Sequence, residues 1–313
     1  MAERLDIVCV GTALVDSIIK GFDPVPVSAA GYRAASGSLN VGGEAVNAAT
    51  AAAKLGLRVG ILCALGEDAA GDMVVSALER CGVVTDRIVR SAEHPTPVTT
   101  MFVNDDGTRK SVTNEAHRYN FRPERYIPRF SDARALLLGS LFRAPFDDPE
   151  IIRAVLAAAK DAGQTVLADT KLPNFRRLGL DDLTDCLPLV DYVTPNEDEA
   201  RYYTGKDEPE EMADVLLRFG VRNVVIKLGA KGCFFKSAAG SLRLPAFDVP
   251  AADATGAGDN FLAGFASELL RGADVLEALR FANACGAICT TAVGAGTALK
   301  NREQVLRFLS AAR

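Results

Sequence analysis

Toward the C-terminal end the chain reads Asp253-Ala254-Thr255-Gly256-Ala257-Gly258-Asp259, and this run enters an apolar-periodic segment of Phe261, Leu262, Phe265, Leu269 and Leu270. Small residues let backbone N–H groups approach a ligand closely, and a helix starting there adds partial positive charge at its N-terminus. The product is an anion hole. It suits a phosphoryl group in transfer, where charge must be held while the bond to the leaving group loosens. A carboxylate beside such a hole would repel the anion unless it had a task, and Asp259 can take the proton from an attacking hydroxyl. A structural turn closed by a capping Asp is the other reading of the same residues. At the opposite end of the chain, Asp16 follows an apolar run and can accept hydrogen bonds from two neighbouring hydroxyls of a small ligand; its alternative is a solvated loop carboxylate.

Elements must bring these distant residues together. Short β-rich runs (Leu5 to Val10, Val59 to Ala64, Ala135 to Leu138, Thr165 to Ala168, Tyr192 to Thr194, Val224 to Lys227) alternate with helical ones (Glu44 to Lys54, Asp72 to Arg80, Glu150 to Lys160, Glu210 to Phe219). The alternation predicts an α/β fold with a doubly wound, mainly parallel sheet and helices on both faces. After residue 255 the chain reads as helices over Asp259 to Arg271, Val275 to Thr291 and Arg302 to Ala312. Two stretches, 23–39 and 96–113, are strand-like instead, and Asn104-Asp105-Asp106-Gly107 is a hairpin turn signal. They predict a small β lid inserted into a single domain spanning 1–313, with a solvent-facing decoration as the plainer reading. Ligands in such folds bind at the carboxyl ends of the strands.

Composition narrows the partners. With 49% hydrophobic and 24% charged residues the chain has the balance of a folded domain, and no apolar run reaches the ~20 residues that span a bilayer. A formal charge of -5 without a basic run argues against nucleic acid. The N-terminus lacks a basic and apolar leader, which predicts a cytoplasmic location. Seven scattered cysteines in apolar surroundings read as reduced, buried thiols, with neither disulfides nor zinc expected.

The Asp253–Asp259 run resembles the C-terminal signature of the ribokinase-like (PfkB) family of carbohydrate kinases. Val41-Gly42-Gly43-Glu44-Ala45-Val46-Asn47-Ala48-Ala49, with Leu65-Gly66-Glu67-Asp68-Ala69-Ala70-Gly71 after it, resembles the first signature, and Asn196-Glu197-Asp198-Glu199 matches an Asn-x-x-Glu motif. The resemblance runs from residue 5 to about 300 in the family's order. It implies a ribokinase-like fold and an ATP-dependent phosphotransferase acting on a hydroxyl, primary by expectation, of a small sugar or sugar derivative. Asp259 would be the base and the N–H groups of Gly256, Ala257 and Gly258 the anion hole. Asp16, Gly42, Gly43 and Asn47 would hold the substrate. Asn196 and Glu199 would serve the magnesium and phosphate side, Glu199 through metal-bound water, while Lys227, Gly229, Gly232 and Asn283 would line the ATP site. The resemblance also admits a monovalent cation, potassium, near Asp253 and a homodimer through the lid strands.

Several residues stay open. Asn196 and Glu199 also fit helix capping, Gly229 and Gly232 a tight turn between strands, and Asn283 a surface position. Asp169-Thr170-Lys171 resembles the Asp-x-Lys of some heptose-phosphate kinases in the family, with a solvated Lys171 as the plainer expectation. Arg33, Arg109, Lys110, Arg118 and Arg143 lie in or near the lid segments, where one could meet an anionic group; His94 and His117 are too isolated for a metal site. The family's ribokinases usually carry Asn where this chain has Leu14, which turns the expectation from ribose toward fructokinase-like or other members. A nucleoside kinase is the nearest alternative, with Tyr32, Phe102, Tyr119 and Phe121 available to stack a base, and a non-catalytic sugar or nucleotide sensor is another. A dinucleotide oxidoreductase would need Gly-x-Gly-x-x-Gly after the first strand, and Gly11-Thr12-Ala13-Leu14 does not supply it.

Overall fold

The computed structural model describes residues 4–21, 34–103, 109–114, 121–174 and 176–311. Along the chain run β1 (Leu5–Val10), β2 (Leu14–Lys20), β3 (Ser36–Gly42), α1 (Glu44–Lys54), β4 (Val59–Leu62), β5 (Ala64–Gly66), α2 (Ala69–Arg80) and β6 (Val89–Ser91). There follow β7 (Val98–Val103), β8 (Arg109–Thr113), β9 (Ala133–Leu141), α3 (Pro149–Asp161), β10 (Thr165–Thr170), β11 (Tyr192–Val193), α4 (Glu197–Thr204) and α5 (Pro209–Arg218). The last elements are β12 (Asn223–Lys227), β13 (Cys233–Ser237), β14 (Gly240–Leu244), α6 (Ala257–Leu270), α7 (Val275–Thr290) and α8 (Arg302–Ala311).

The main sheet has the order β14-β13-β12-β11-β10-β9-β1-β4. From β4 to β12 every pair is parallel, and β13 and β14 close the edge as antiparallel strands. Burial of both faces explains the near-continuous apolar strands. In β1, Ile7 and Cys9 pack into one core with α1, α6 and α7, while Val8 and Val10 pack into the other with α3 and α5. The helices follow from local sequence. In α3, the Asp148 side chain accepts from the Glu150 N–H at 3.0 Å, Pro149 occupies the first turn, and Ile151, Ile152, Val155, Leu156 and Ala159 form the buried stripe. Among the described residues, no helix is long and apolar enough to cross a membrane.

A second sheet, β3-β2-β7-β8, stands apart from the first. The β7–β8 pair is the expected hairpin, while its Asn104–Gly107 turn lies outside the described residues. The first lid segment differs from expectation. Its strand is Ser36–Gly42, residues 22–33 lie outside the description, and Leu14–Lys20, which carries Asp16, is a strand not among those expected. The reason is tertiary: β2 finds its neighbours in β3 and in β7, the latter more than eighty residues away by register (Val15 with Val98). Asp16 therefore sits in register with Asn40 and Thr99, and their side chains share one face of this sheet.

Leu137 lies in a central strand and is fully buried against the α1, α6 and α7 side. Leu137→Ala should lower the unfolding free energy by about 2–5 kcal/mol, read from urea denaturation of the two proteins.

Candidate active site

The parallel strands end on one side of the molecule, where Lys171 after β10, Asn196 after β11 and Lys227 at the end of β12 line one cleft with the start of α6. Gly256 opens α6 in the left-handed region (φ 75°), which a side chain would strain; a Cβ there would also drive into Ala295. No side chain caps the helix. The N–H of Ala257 is taken by the Ala254 carbonyl at 3.2 Å, so the hole opens chiefly around its neighbours in the first turn. Buried Asn260 holds the loop from beneath: its Nδ2 donates to the carbonyls of Gly256 (2.8 Å) and Ala295 (2.9 Å). Asp253 braces the other end, accepting from Thr255 N (3.0 Å) and Oγ1 (2.7 Å) and from Gly294 N (2.9 Å).

Asp259 lies in the first turn of α6 and is 8% exposed. Its Oδ2 accepts a 2.8 Å hydrogen bond from Asn47 Nδ2, on the first turn of α1. Burial pushes the carboxyl up to about 6, Asp169 and Glu44 add to the rise, and Lys171 and the Asn47 amide oppose it. Asn47 is brought there by Gly43, which caps α1 at φ 100°, where a Cβ would strike the Thr12 carbonyl. Gly42 lies so close to Asp16 that a Cβ would meet its carboxylate, and burial raises the pKa of half-buried Asp16 above the ordinary carboxylate range.

On the other side of Asp259 opens a cleft of about 820 Å³. Gly256–Asp259, Lys171, Asn196, Lys227, the Gly229 and Gly232 turn, and Asn283 all line it. Gly229 and Gly232 (φ 57° and 93°) do make a tight turn between β12 and β13, and that turn borders the cleft. Asn283 is 8% exposed and donates to the Pro245 carbonyl at 3.2 Å. It is no surface position.

Beneath the cleft lies a network of buried charge. Lys227 Nζ meets Asp169 at 2.7 and 2.8 Å, and Asp169 also accepts from Thr194 Oγ1 at 3.1 Å. Asn196 and Glu199 form a reciprocal capping box at the start of α4, with Glu199 N donating to Asn196 Oδ1 (2.8 Å) and Asn196 N to Glu199 Oε2 (3.0 Å). The same Oε2 accepts from Thr170 Oγ1 at 2.9 Å. Burial and then Asp169 raise the pKa of Glu199, against Lys227, the Asn196 N–H and Lys171.

Residues 4–302 match the family described as pfkB family carbohydrate kinase. The chain belongs to that family. This pfkB kinase is 31% identical over 276 residues to ribokinase of Haemophilus influenzae, covering 86% of this chain and 87% of that one. It is 33% identical over 271 residues to ATP-dependent ribose-1-phosphate kinase of Halopiger xanaduensis, covering 86% of each. Among solved structures, Arabidopsis thaliana ribokinase complexed with ribose and ATP superposes with a TM-score of 0.84 at 27% identity, covering 98% of this chain and 99% of that one. The fold is ribokinase-like, as expected.

Other expectations for the pfkB chain change in detail. Lys171 is not a solvated lysine: it is half-buried and lines the cleft. Burial draws its pKa down, but Asp169, Asp259, Glu199 and Glu44 outweigh that and hold it above the ordinary lysine value. Phe102 alternates with Thr99 and Met101 and so lies on the sheet face opposite Asp16, and Phe121 is buried in the core. Lys110 pairs with Phe102 on that opposite face. Tyr32, Tyr119, Arg33, Arg118 and His117 lie outside the described residues, as does the side chain of Arg109. All seven cysteines are free, with Cys81 half-buried and the others buried.

Lys227→Met would leave Asp169, whose side chain is 2% exposed, buried without its cation. The expected loss is about 3–5 kcal/mol of stability, measured by urea unfolding at neutral pH.

Proposed function

We propose that this kinase transfers the γ-phosphoryl group of ATP to a hydroxyl, most simply a primary one, of a small sugar or sugar derivative. The observation that carries the proposal is the position of Asp259: a buried carboxylate tuned to about 6, in the uncapped first turn of α6, tied to Asn47. A base with that pKa is ionised at neutral pH and still basic enough to accept a hydroxyl proton. Asp16, the Gly42–Gly43 backbone and Asn47 orient the acceptor on one side of Asp259. ATP occupies the cleft on the other, against Lys227, the Gly229–Gly232 turn, Asn196 and Asn283. The similarity to a ribokinase solved with ribose and ATP supports both assignments.

Magnesium fits the charge of the floor. Among the described residues, Asp169, Glu199, Asp259 and Glu44 all act on Lys171, and Lys227 is the other cation set against them, so a dication bound with the nucleotide would restore the balance. Magnesium would keep water and phosphate ligands and neutralise charge on the phosphates, with Glu199 acting through its water shell. Asp253 holds the loop, and a potassium ion beside it would screen that carboxylate further.

A sugar is favoured over a nucleoside because the face bearing Asp16 presents Asn40, Thr99 and Thr113 in register and no described aromatic side chain. Leu14, 7% exposed, offers no hydrogen bond to an acceptor, which points away from ribose. The β2, β3, β7 and β8 sheet serves as the lid, and its outer face, with Leu39 61% and Val112 68% exposed, is the surface through which a homodimer would form. Closing the lid excludes water and limits ATP hydrolysis.

Asp259→Asn should lower turnover by about 10²–10⁴-fold in a coupled ADP assay while ATP affinity, followed by calorimetry, stays within about twofold. Unchanged turnover would remove Asp259 from the mechanism. The acceptor is found by screening sugars, sugar acids, sugar phosphates and nucleosides for ADP release, with the strongest response expected among the sugars and sugar acids.

A further inference from the structure

Lys171 follows the end of β10, and both of its main-chain groups are pinned. Its N–H donates to the Leu141 carbonyl at 3.0 Å, and its carbonyl accepts from Tyr203 Oη at 2.6 Å. Tyr203 is itself fixed by stacking on Phe142, with ring centroids 4.0 Å apart and planes 22° from parallel. That tyrosine belongs to α4, the helix whose capping box carries Asn196 and Glu199. The lysine is therefore set at a defined place on the wall of the cleft that also contains Gly256–Asp259.

The charge there is unusual for a lysine with a merely structural task. Lys227, its neighbour across the cleft floor, is held by Asp169 through two short hydrogen bonds. Lys171 feels Asp169, Asp259, Glu199 and Glu44, yet its Nζ makes no ion pair or hydrogen bond with any described residue. A half-buried ammonium left without a direct acceptor is poorly compensated, and an anion in the cleft would complete its coordination. The anion that passes between the anion-hole loop and Asp259 is the phosphoryl group in transfer.

We propose that Lys171 is a further catalytic residue whose ammonium group meets the oxygens of the transferring phosphoryl group from the side opposite the α6 N-terminus. The inference rests on the kinase reading above. In the step, the acceptor oxygen forms a bond to the γ-phosphorus, the bond from that phosphorus to the β,γ-bridging oxygen breaks, and the hydroxyl proton passes to Asp259. ADP leaves with the electron pair of the broken bond. Lys171 gains or loses no proton. It stabilises charge on the non-bridging oxygens, and between turnovers it helps to keep Asp259 ionised against the influence of burial, Asp169 and Glu44.

The test uses the full chain with MgATP and the best acceptor from the screen. Lys171→Met should lower kcat by about 10²–10³-fold with KM for ATP changed less than about threefold, because one preorganised group acting on the transition state is removed. The acid limb of kcat/KM should move to higher pH than in the wild type, since the cation opposing the rise at Asp259 is gone. Lys171→Arg, which keeps the charge and the anion-binding capacity, should recover at least about tenfold of the loss. Thermal unfolding of both variants separates a folding defect from a catalytic one, and the arginine variant decides the case if the methionine variant does not fold. A Met variant with kcat within about threefold of wild type overturns the proposal. So does a loss confined to KM for the acceptor, which would place the lysine on an acceptor anion, and so does an arginine variant as inactive as a folded methionine one. If the wild type itself transfers phosphoryl groups to no acceptor, the kinase reading fails instead.

Discussion

A hydrogen bond joins the first turns of α1 and α6 in the site: Asn47 Nδ2 to Asp259 Oδ2, 2.8 Å long and spanning 212 residues of sequence. Everything else in the site is arranged so that this contact can form. Gly43 must take a backbone conformation closed to other residues for α1 to begin where it does, and Gly256 must do the same for α6. The two helices pack side by side on one face of the parallel sheet, which makes the contact a property of the core. The bond orients the carboxylate and moderates its pKa, so that burial raises it to about 6 without leaving it protonated at neutral pH.

The same economy governs the charges below. A carboxylate buried alone would take up a proton, so Asp169 is matched with Lys227 and with the hydroxyl of Thr194. Glu199 is held by Thr170 and by the backbone of its own capping box. The network stitches the ends of β10, β11 and β12 to the start of α4, and the cleft walls inherit its rigidity. Capping and function are not rival explanations here. The box that starts α4 is also what fixes Glu199 at the cleft.

Much of this was legible in the residues, and the illegible parts share a cause. The span of α1 and of β1 could be read to the residue, because apolar periodicity and flanking small residues are local signals. The loop at 253–259 could be read as an anion hole from residue type alone. The strand that carries Asp16 was not read because β2 is held by β3 and by the distant β7, and a strand carrying Asp, Ser and Lys has weak local preference. The antiparallel edge strands β13 and β14 went unassigned: β14 has three exposed residues of five and no buried one, so it carries little apolar pattern. Lys171 looked like a surface residue because burial of a polar side chain is decided by what converges on it from elsewhere in the chain.

The central claim is that burial at the helix N-terminus makes Asp259 a base with a raised pKa. It is tested most directly by following the carboxyl ¹³C resonances of the ligand-free protein with pH and assigning Asp259 by its disappearance in the asparagine variant. The account predicts a titration midpoint of about 6. A midpoint near about 4, the ordinary range of an aspartate, would contradict it.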